Sequence, residues 1–331
     1  MGKKTLKIPS IDSHRLNMQT VRGKNDTMIA NEFFLLHEKF IQDKVLEGLA
    51  STTINGHKEN FKYFKKYINE EYQSGADCIA IDSEVLKGYV YYMLQEKQFK
   101  PCTINVRLRT LRCYLKWLYD EEYLNYNYAM KLKLVRVPED TIKPLSDKDV
   151  KKMLNATDKT SYSGYRDYVM MVLMLDCGVR VGEAVNIKVE DVDLKAGLIN
   201  IKGENAKTRV FRQLPISPKT CRLLSDLLAI AEENNCEYVF QSTYGGKIKK
   251  QNIILSFARL GEKVGLKVRC TPHIYRHTFA TNAVKGGIDP FTLQRILGHT
   301  TMAMTRKYVQ LESSDLVNKH SKIDLLNKYL R

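Results

Sequence analysis

The sequence predicts a two-domain protein, mainly α-helical, with a small antiparallel β-sheet in its second domain. Three observations carry this expectation. The chain has 331 residues, enough for about two domains at ~150 residues each. From about residue 30 apolar side chains recur at helical spacing, until periodicity is lost between 134 and 146, where two prolines fall. Helices then resume, interrupted by two short apolar runs, "GLINIKG" (197–203) and "RVFRQLPI" (209–216), joined by the polar "ENAKT". Such a pair reads as a β-hairpin.

Each element has its own signal. In 53–68, "TINGHKENFKYFKKYI", Ile54, Phe61, Phe64 and Ile68 share one stripe, with Lys58, Lys62, Lys65 and Lys66 largely elsewhere. Residues 83–97 open with Ser83 as the expected cap. In 103–124 Thr103 is the expected cap, and Ile104, Leu108, Leu111, Leu115 and Leu118 form an apolar seam. Arg109, Arg112 and Lys116 lie on a second face of the same helix. After the Pro-containing stretch, Ser146 caps "SDKDVKKML", and "YRDYVMMVLMLDC" (165–177) makes an apolar helix stopped by Gly178. A short helix over "RVGEAVNI", the hairpin, and a helix over 217–235 with Ser217 and Pro218 at its start follow. "EYVF" offers a third short strand. The remaining helices are expected over 250–264, from Thr271 and Pro272 to Gly286-Gly287, over 290–297 between Asp289 and Gly298, and over 301–310.

Composition narrows the function classes. Hydrophobic content is 44% and charged content 27%, values typical of a globular protein. No apolar run is long enough for a bilayer span. The basic start "MGKKTLKIPSIDSHR" lacks a signal-peptide core, so the chain is expected in the cytoplasm. Net charge is +16, with 22 Lys+Arg against 18 Asp+Glu in residues 1–140 and 31 against 19 beyond. That excess points to a polyanionic partner such as DNA or RNA, although a solvated basic surface gives the same total. Seven cysteines stand singly with no C-x-x-C pair, which argues against a disulfide framework or a zinc cage.

The chemistry concentrates in the second half. In "HIYRHTFAT" (273–281), His273, Arg276 and His277 share one face at a helix N-terminus, where the macrodipole also favours an anion. "CGVRVGEAV" places Arg180 at another glycine-marked junction, with Glu183 three residues on. Lys207 stands in the hairpin turn, and "LGHTTMAMTRKYVQ" supplies His299 and Tyr308. Two arginines clamp non-bridging phosphate oxygens through planar forks. A lysine beside a leaving oxygen serves as general acid, and a tyrosine serves as covalent nucleophile. Together these groups suit phosphoryl transfer. Simpler readings stand beside this one. His273 and His277 at i, i+4 resemble a metal pair, but the Glu of H-E-x-x-H is missing and Arg276 lies between them. Arg180 suits a carbonyl cap, and Tyr308 taken alone is a packing residue.

"GVRVGEA", "HIYRHTFAT" and "LGHTTMAMTRKYV", in this order and spacing, resemble the signature boxes of the tyrosine recombinase (phage integrase) family. The resemblance covers about 144–331, and more weakly the helical 30–135 region. It implies a SAM-like helical core DNA-binding domain over 30–135, a linker over 136–145 and an α+β catalytic domain with its tail over 146–331. Residues 1–29 are then a basic N-terminal segment of the composition found in disordered arms. It further implies a site-specific recombinase that forms a 3′-phosphotyrosyl intermediate without metal, nucleotide or other cofactor. Arg180 and Arg276 would clamp the phosphate, His273 assist proton transfer, His299 hydrogen-bond the phosphate, Tyr308 attack, and Glu183 order the site. Lys207 matches the family's catalytic lysine before an R-x-x-P strand, with Lys202 as its rival; Tyr275 stands where the family usually has Leu. The implied partners are double-stranded DNA at specific sites and three further copies of the chain, a homotetramer on two duplexes, with no membrane. DNA binding would associate it with a bacterial nucleoid. Lys58, Lys62, Arg109, Arg112 and Lys116 are the expected DNA contacts of the helical domain. A DNA-relaxing enzyme of type IB topoisomerase kind and a non-catalytic DNA-binding regulator are the alternatives.

Overall fold

The computed structural model describes residues 26–137, 143–203 and 210–309. The chain divides into two compact units, Met1–Glu139 and Asp140–Arg331. Among the described residues no helix is long and apolar enough to cross a membrane.

In the first unit β1 (Met28–Ile29) leads into α1 (Ala30–Leu46), followed by α2 (Ser51–Tyr72), β2 (Ala80–Ile81), α3 (Ser83–Tyr91) and α4 (Pro101–Asp120). The two short strands pair antiparallel, Met28 opposite Ile81. The expected stripe of α2 and the seam of α4 both face the core: Phe64, Ile68, Ile104, Leu108, Leu111, Leu115 and Leu118 are all buried. Phe33 and Tyr114 meet edge-on at 4.8 Å in its centre. His37 of α1 lies flat on Phe61, ring centroids 3.5 Å apart.

Two helix starts differ from expectation. The α3 cap is Asp82, whose carboxylate accepts from the backbone N–H groups of Glu84 and Val85, rather than Ser83. An ionised acceptor one residue earlier reaches both orphan donors and is favoured by the dipole. The α4 helix begins at Pro101 after Lys100, with no side-chain cap, so Thr103 lies inside the first turn. Proline's fixed φ suits the first helical position and needs no N–H partner. The same helix stops at Asp120 rather than 124, and Glu122 takes φ +61° just beyond it.

The second unit contains α5 (Asp147–Asn155), α6 (Tyr162–Cys177), α7 (Val181–Ala184), β3 (Val192–Asp193), β4 (Leu198–Ile201), β5 (Arg212–Pro215), α8 (Pro218–Glu233), α9 (Lys250–Lys263), α10 (Pro272–Lys285), α11 (Pro290–Leu297) and α12 (Met302–Arg306). Caps at Ser146, Ser161, Ser217 and Asp289 each accept a backbone N–H of the first turn. The sheet is antiparallel in the order β3-β4-β5, Val192 opposite Ile199 and Ile199 opposite Leu214. Its third strand is therefore Val192–Asp193 and not "EYVF", which makes only an isolated bridge from Tyr238 to Lys188. Val239 and Phe240 are buried, so burial rather than strand pairing explains that apolar run. Helices α6 and α10 pack in the core, where the Tyr275 hydroxyl meets Met171 Sδ at 2.9 Å and the ring is fully buried. The last helix is shorter than expected: α12 ends at Arg306, and Tyr308 follows it, its N–H donating to Thr305 O.

Candidate active site

The site is organised by the end of α11. This helix stops at Gly298, which takes φ +61°, a left-handed conformation that glycine adopts without Cβ strain. A helix C-terminus leaves carbonyls without partners and a partial negative charge. Here three consecutive carbonyls each accept from a guanidinium supplied by a different segment. Arg212 Nε donates to Ile296 O at 3.0 Å, Arg276 Nη2 to Leu297 O at 2.7 Å, and Arg180 Nη2 to Gly298 O at 3.0 Å.

Each arginine is fixed again elsewhere. Arg276 lies on α10 one turn in from Pro272 and donates through Nη1 to Gly178 O, the residue that ends α6, at 2.6 Å. Arg180 precedes α7 and donates through Nη1 to Glu183 Oε1 at 3.0 Å, while its backbone N–H reaches Oε2 at 3.1 Å. Arg212 begins β5 and forks onto the same carboxylate, Nη1 to Oε1 at 3.2 Å and Nη2 to Oε2 at 2.6 Å. Burial pushes the Glu183 carboxyl up, but the bonds and charges of Arg212 and Arg180 outweigh it and hold Glu183 below the usual range. Burial, then the nearby Arg180 charge, lowers Arg276 to about 9, which leaves it a cation at neutral pH.

His299 follows Gly298 directly. Burial and the charges of Arg276, Arg180 and Arg212 push its imidazole down to about 4, so the ring is neutral. Its Nδ1 lies 2.9 Å from Thr305 Oγ1. The Tyr308 ring is half-buried, nearly parallel to His299 at 6.3 Å between centroids, and 5.1 Å from the ring of His277. Burial raises the Tyr308 phenol above its ordinary value, against the opposing pull of Arg276 and Arg180. It packs against a small apolar cluster of Ala280, Leu293 and Leu297. A groove of about 740 Å³ opens beside Arg212 and His299, lined also by Phe211, Phe291 and Arg295.

Of the residues singled out in the sequence, Arg180, Glu183, Arg276, His299 and Tyr308 thus share one neighbourhood. His273 stands exposed on the first turn of α10, three residues before Arg276. Lys207 lies outside the described residues. Lys202, its rival, has Nζ 2.5 Å from Glu190 Oε1 and 3.0 Å from Asp191 Oδ1. Arg212 opens the R-x-x-P strand that the motif reading used to place Lys207, but that reading gave it no role in the site. Its signal is the strand pattern: Arg212, Leu214 and Ile216 alternate with exposed residues and are all buried, so a charge occupies an apolar face. In the first unit Lys58, Lys62, Arg109 and Lys116 are exposed and Arg112 is half-buried. Lys62 pairs with Glu59 at 2.7 Å and Lys116 with Asp120 at 2.5 Å. Among the described residues no group of His, Cys, Asp and Glu could hold a metal ion.

Comparison with known proteins defines the class. The profile of the phage integrase family matches residues 143–314, and that of the phage integrase SAM-like domain matches 32–134. The chain is 29% identical over 300 residues to tyrosine recombinase XerA of Saccharolobus solfataricus, covering 87% of this chain and 92% of that protein. It is 25% identical over 293 residues to tyrosine recombinase XerC of Thermodesulfovibrio yellowstonii, covering 86% and 94%. The Tn1549 transposon integrase in complex with circular intermediate DNA superposes with a TM-score of 0.72 at 19% identity, over 88% of this chain and 99% of that one. A lambda integrase dimer bound to a COC' core site gives 0.67 at 18% identity, over 85% and 95%. The class is that of tyrosine recombinase enzymes: a SAM-like helical domain followed by a catalytic domain. The chain belongs to the phage integrase family.

Proposed function

We propose that this protein is a site-specific DNA recombinase that cuts and rejoins strands through a 3′-phosphotyrosyl intermediate at Tyr308. The observation that carries the reading is the convergence of Arg180 and Arg276 on adjacent carbonyls at the end of α11, beside the ring of Tyr308. Two fixed cations there suit the non-bridging oxygens of one backbone phosphate. The Tyr308 oxygen attacks phosphorus, the bond to the 5′-oxygen breaks, and a free 5′-hydroxyl leaves. Because burial raises the phenol, its proton needs an acceptor, a role we give to His273. Lys207 delivers a proton to the leaving oxygen, and His299 donates to a phosphate oxygen. The reverse attack, by the 5′-hydroxyl of a partner duplex, restores the phosphodiester and frees Tyr308. In this reading the arginines supply the charge neutralisation that divalent cations give other phosphoryl-transfer sites, and no nucleotide is consumed.

The substrate is double-stranded DNA, in keeping with the DNA complexes of the structural relatives. Residues 30–135 form the core-binding domain, 136–145 the linker and 146–331 the catalytic domain. Lys58, Lys62, Arg109, Arg112 and Lys116 contact the backbone; the exposed pairs of Lys62 and Lys116 hold them by no more than about 1 kcal/mol each, so phosphate displaces Glu59 and Asp120. Four copies act on two duplexes. The test is covalent trapping on nicked suicide duplexes drawn from the DNA flanking the gene. Wild type should yield a protein–DNA adduct and Tyr308→Phe none. Equal adduct from both would reject the nucleophile, and relaxation of plasmids lacking any such site would favour a topoisomerase.

A further inference from the structure

We infer that Arg212 is a positioning residue for the phosphate clamp: it shares the Glu183 carboxylate so that Arg180 stays available to an anion. The inference rests on the recombinase reading and extends it to a residue outside the signature boxes.

Whereas Arg180 and Arg276 are each held through Nη1 and Nη2, Arg212 donates to protein from all three guanidinium nitrogens, Nε to Ile296 O and Nη1 and Nη2 to Glu183. It occupies both oxygens of Glu183, whereas the Arg180 guanidinium reaches one, at 3.0 Å. Among the described residues one carboxylate therefore serves two guanidiniums, and Arg180 has no private counter-ion. A buried ion pair made for stability alone has little to recommend it, since desolvating two charges offsets their attraction. The third bond of Arg212 explains its placement better. Through Ile296 O it holds the turn whose next two carbonyls seat Arg276 and Arg180 and whose next residue is His299. Removing Arg212 would leave Glu183 to pair with Arg180 alone and would loosen the end of α11.

The experiment is single-turnover cleavage of the nicked duplex at saturating DNA, with DNA affinity and thermal unfolding measured on each protein. Arg212→Met should bind DNA as wild type does and cleave about 10- to 100-fold more slowly, by analogy with the loss of residues that orient metal ligands. Adding Glu183→Gln should recover part of that rate, because no carboxylate then captures Arg180. Wild-type cleavage by Arg212→Met, or a double variant no faster than the single one, overturns the inference. If Arg212→Met does not fold, Arg212→Lys takes its place: it keeps the charge but cannot fork, so slow cleavage supports the inference and a wild-type rate overturns it. Absence of adduct from wild type itself would instead remove the recombinase reading, and this inference with it.

Discussion

Arg180 and Arg276, almost a hundred residues apart, donate to the neighbouring carbonyls Gly298 O and Leu297 O. Neither belongs to the helix it caps. Their guanidiniums are held by the same turn that carries His299, so the spacing of the two cations is set by a rigid peptide geometry rather than by long flexible side chains. Pre-set donors of this kind need no reorganisation when charge develops on an oxyanion.

Loss of either arginine should separate binding from chemistry. Arg180→Ala or Arg276→Ala is expected to leave duplex affinity nearly intact and cut adduct formation by about 10²- to 10³-fold, the scale of a lost oxyanion donor. Arg276→Ala should also lower thermal stability, because it strips partners from the buried Gly178 and Leu297 carbonyls, at about 1–3 kcal/mol for each unsatisfied group. Gel-shift titration beside suicide-substrate kinetics checks both. A parallel fall in affinity and rate would count against the clamp.

The pH dependence of cleavage should carry no histidine step from position 299. With its imidazole pushed to about 4 by burial and the three arginines, His299 stays neutral through the physiological range. Tyr308, raised by burial, remains protonated there, so the rate should climb from about pH 6 to 9 as its proton becomes easier to remove. A sigmoid centred near the ordinary histidine value of ~6.5 that disappears in His299→Gln would sink this assignment.

Stability should fall in acid through His37. Burial, followed by the charges of His57 and Lys58, lowers its imidazole to about 3, whereas in the unfolded chain it titrates near ~6.5. Between those values the unfolded state binds the extra proton, so stability is fully present above about pH 6.5 and drains away as pH drops toward 3. The penalty reaches about 3 kcal/mol at pH 4. Urea midpoints measured from pH 7 to pH 4 should decline less steeply in His37→Gln than in wild type; parallel slopes would disprove the claim.

Glycine at 298 is required twice over. Its φ is +61°, and a Cβ there would lie 3.0 Å from the Arg212 guanidinium. Gly298→Ala should cost about 1 kcal/mol or more and slow cleavage by displacing Arg212. Gly56→Ala is the contrasting case: it sits within α2 with nothing among the described residues within 4 Å of the added carbon, and should stabilise by about 0.5–1 kcal/mol. Circular dichroism melts of the two variants, with cleavage rates, decide the matter.

Much of this architecture is legible in the sequence, wherever the determining physics is local. Apolar spacing marked the buried faces of α2 and α4, and Ser146, Ser217 and Asp289 announced helix starts because a short oxygen acceptor serves the nearest orphan N–H groups. The glycines at 178 and 298 marked stops for the same kind of reason. What lay out of reach was long-range. The seating of Arg212, Arg276 and Arg180 on carbonyls 296, 297 and 298 depends on three segments meeting at one helix end, and no local pattern encodes that meeting. The choice of Val192–Asp193 over "EYVF" as the third strand was decided likewise by which backbone edge β4 left open. Residue type and spacing by themselves determined which side chains were worth watching. Only tertiary packing decided which carbonyl each one would hold, because a hydrogen bond is directional and its partner lies wherever the fold brings it.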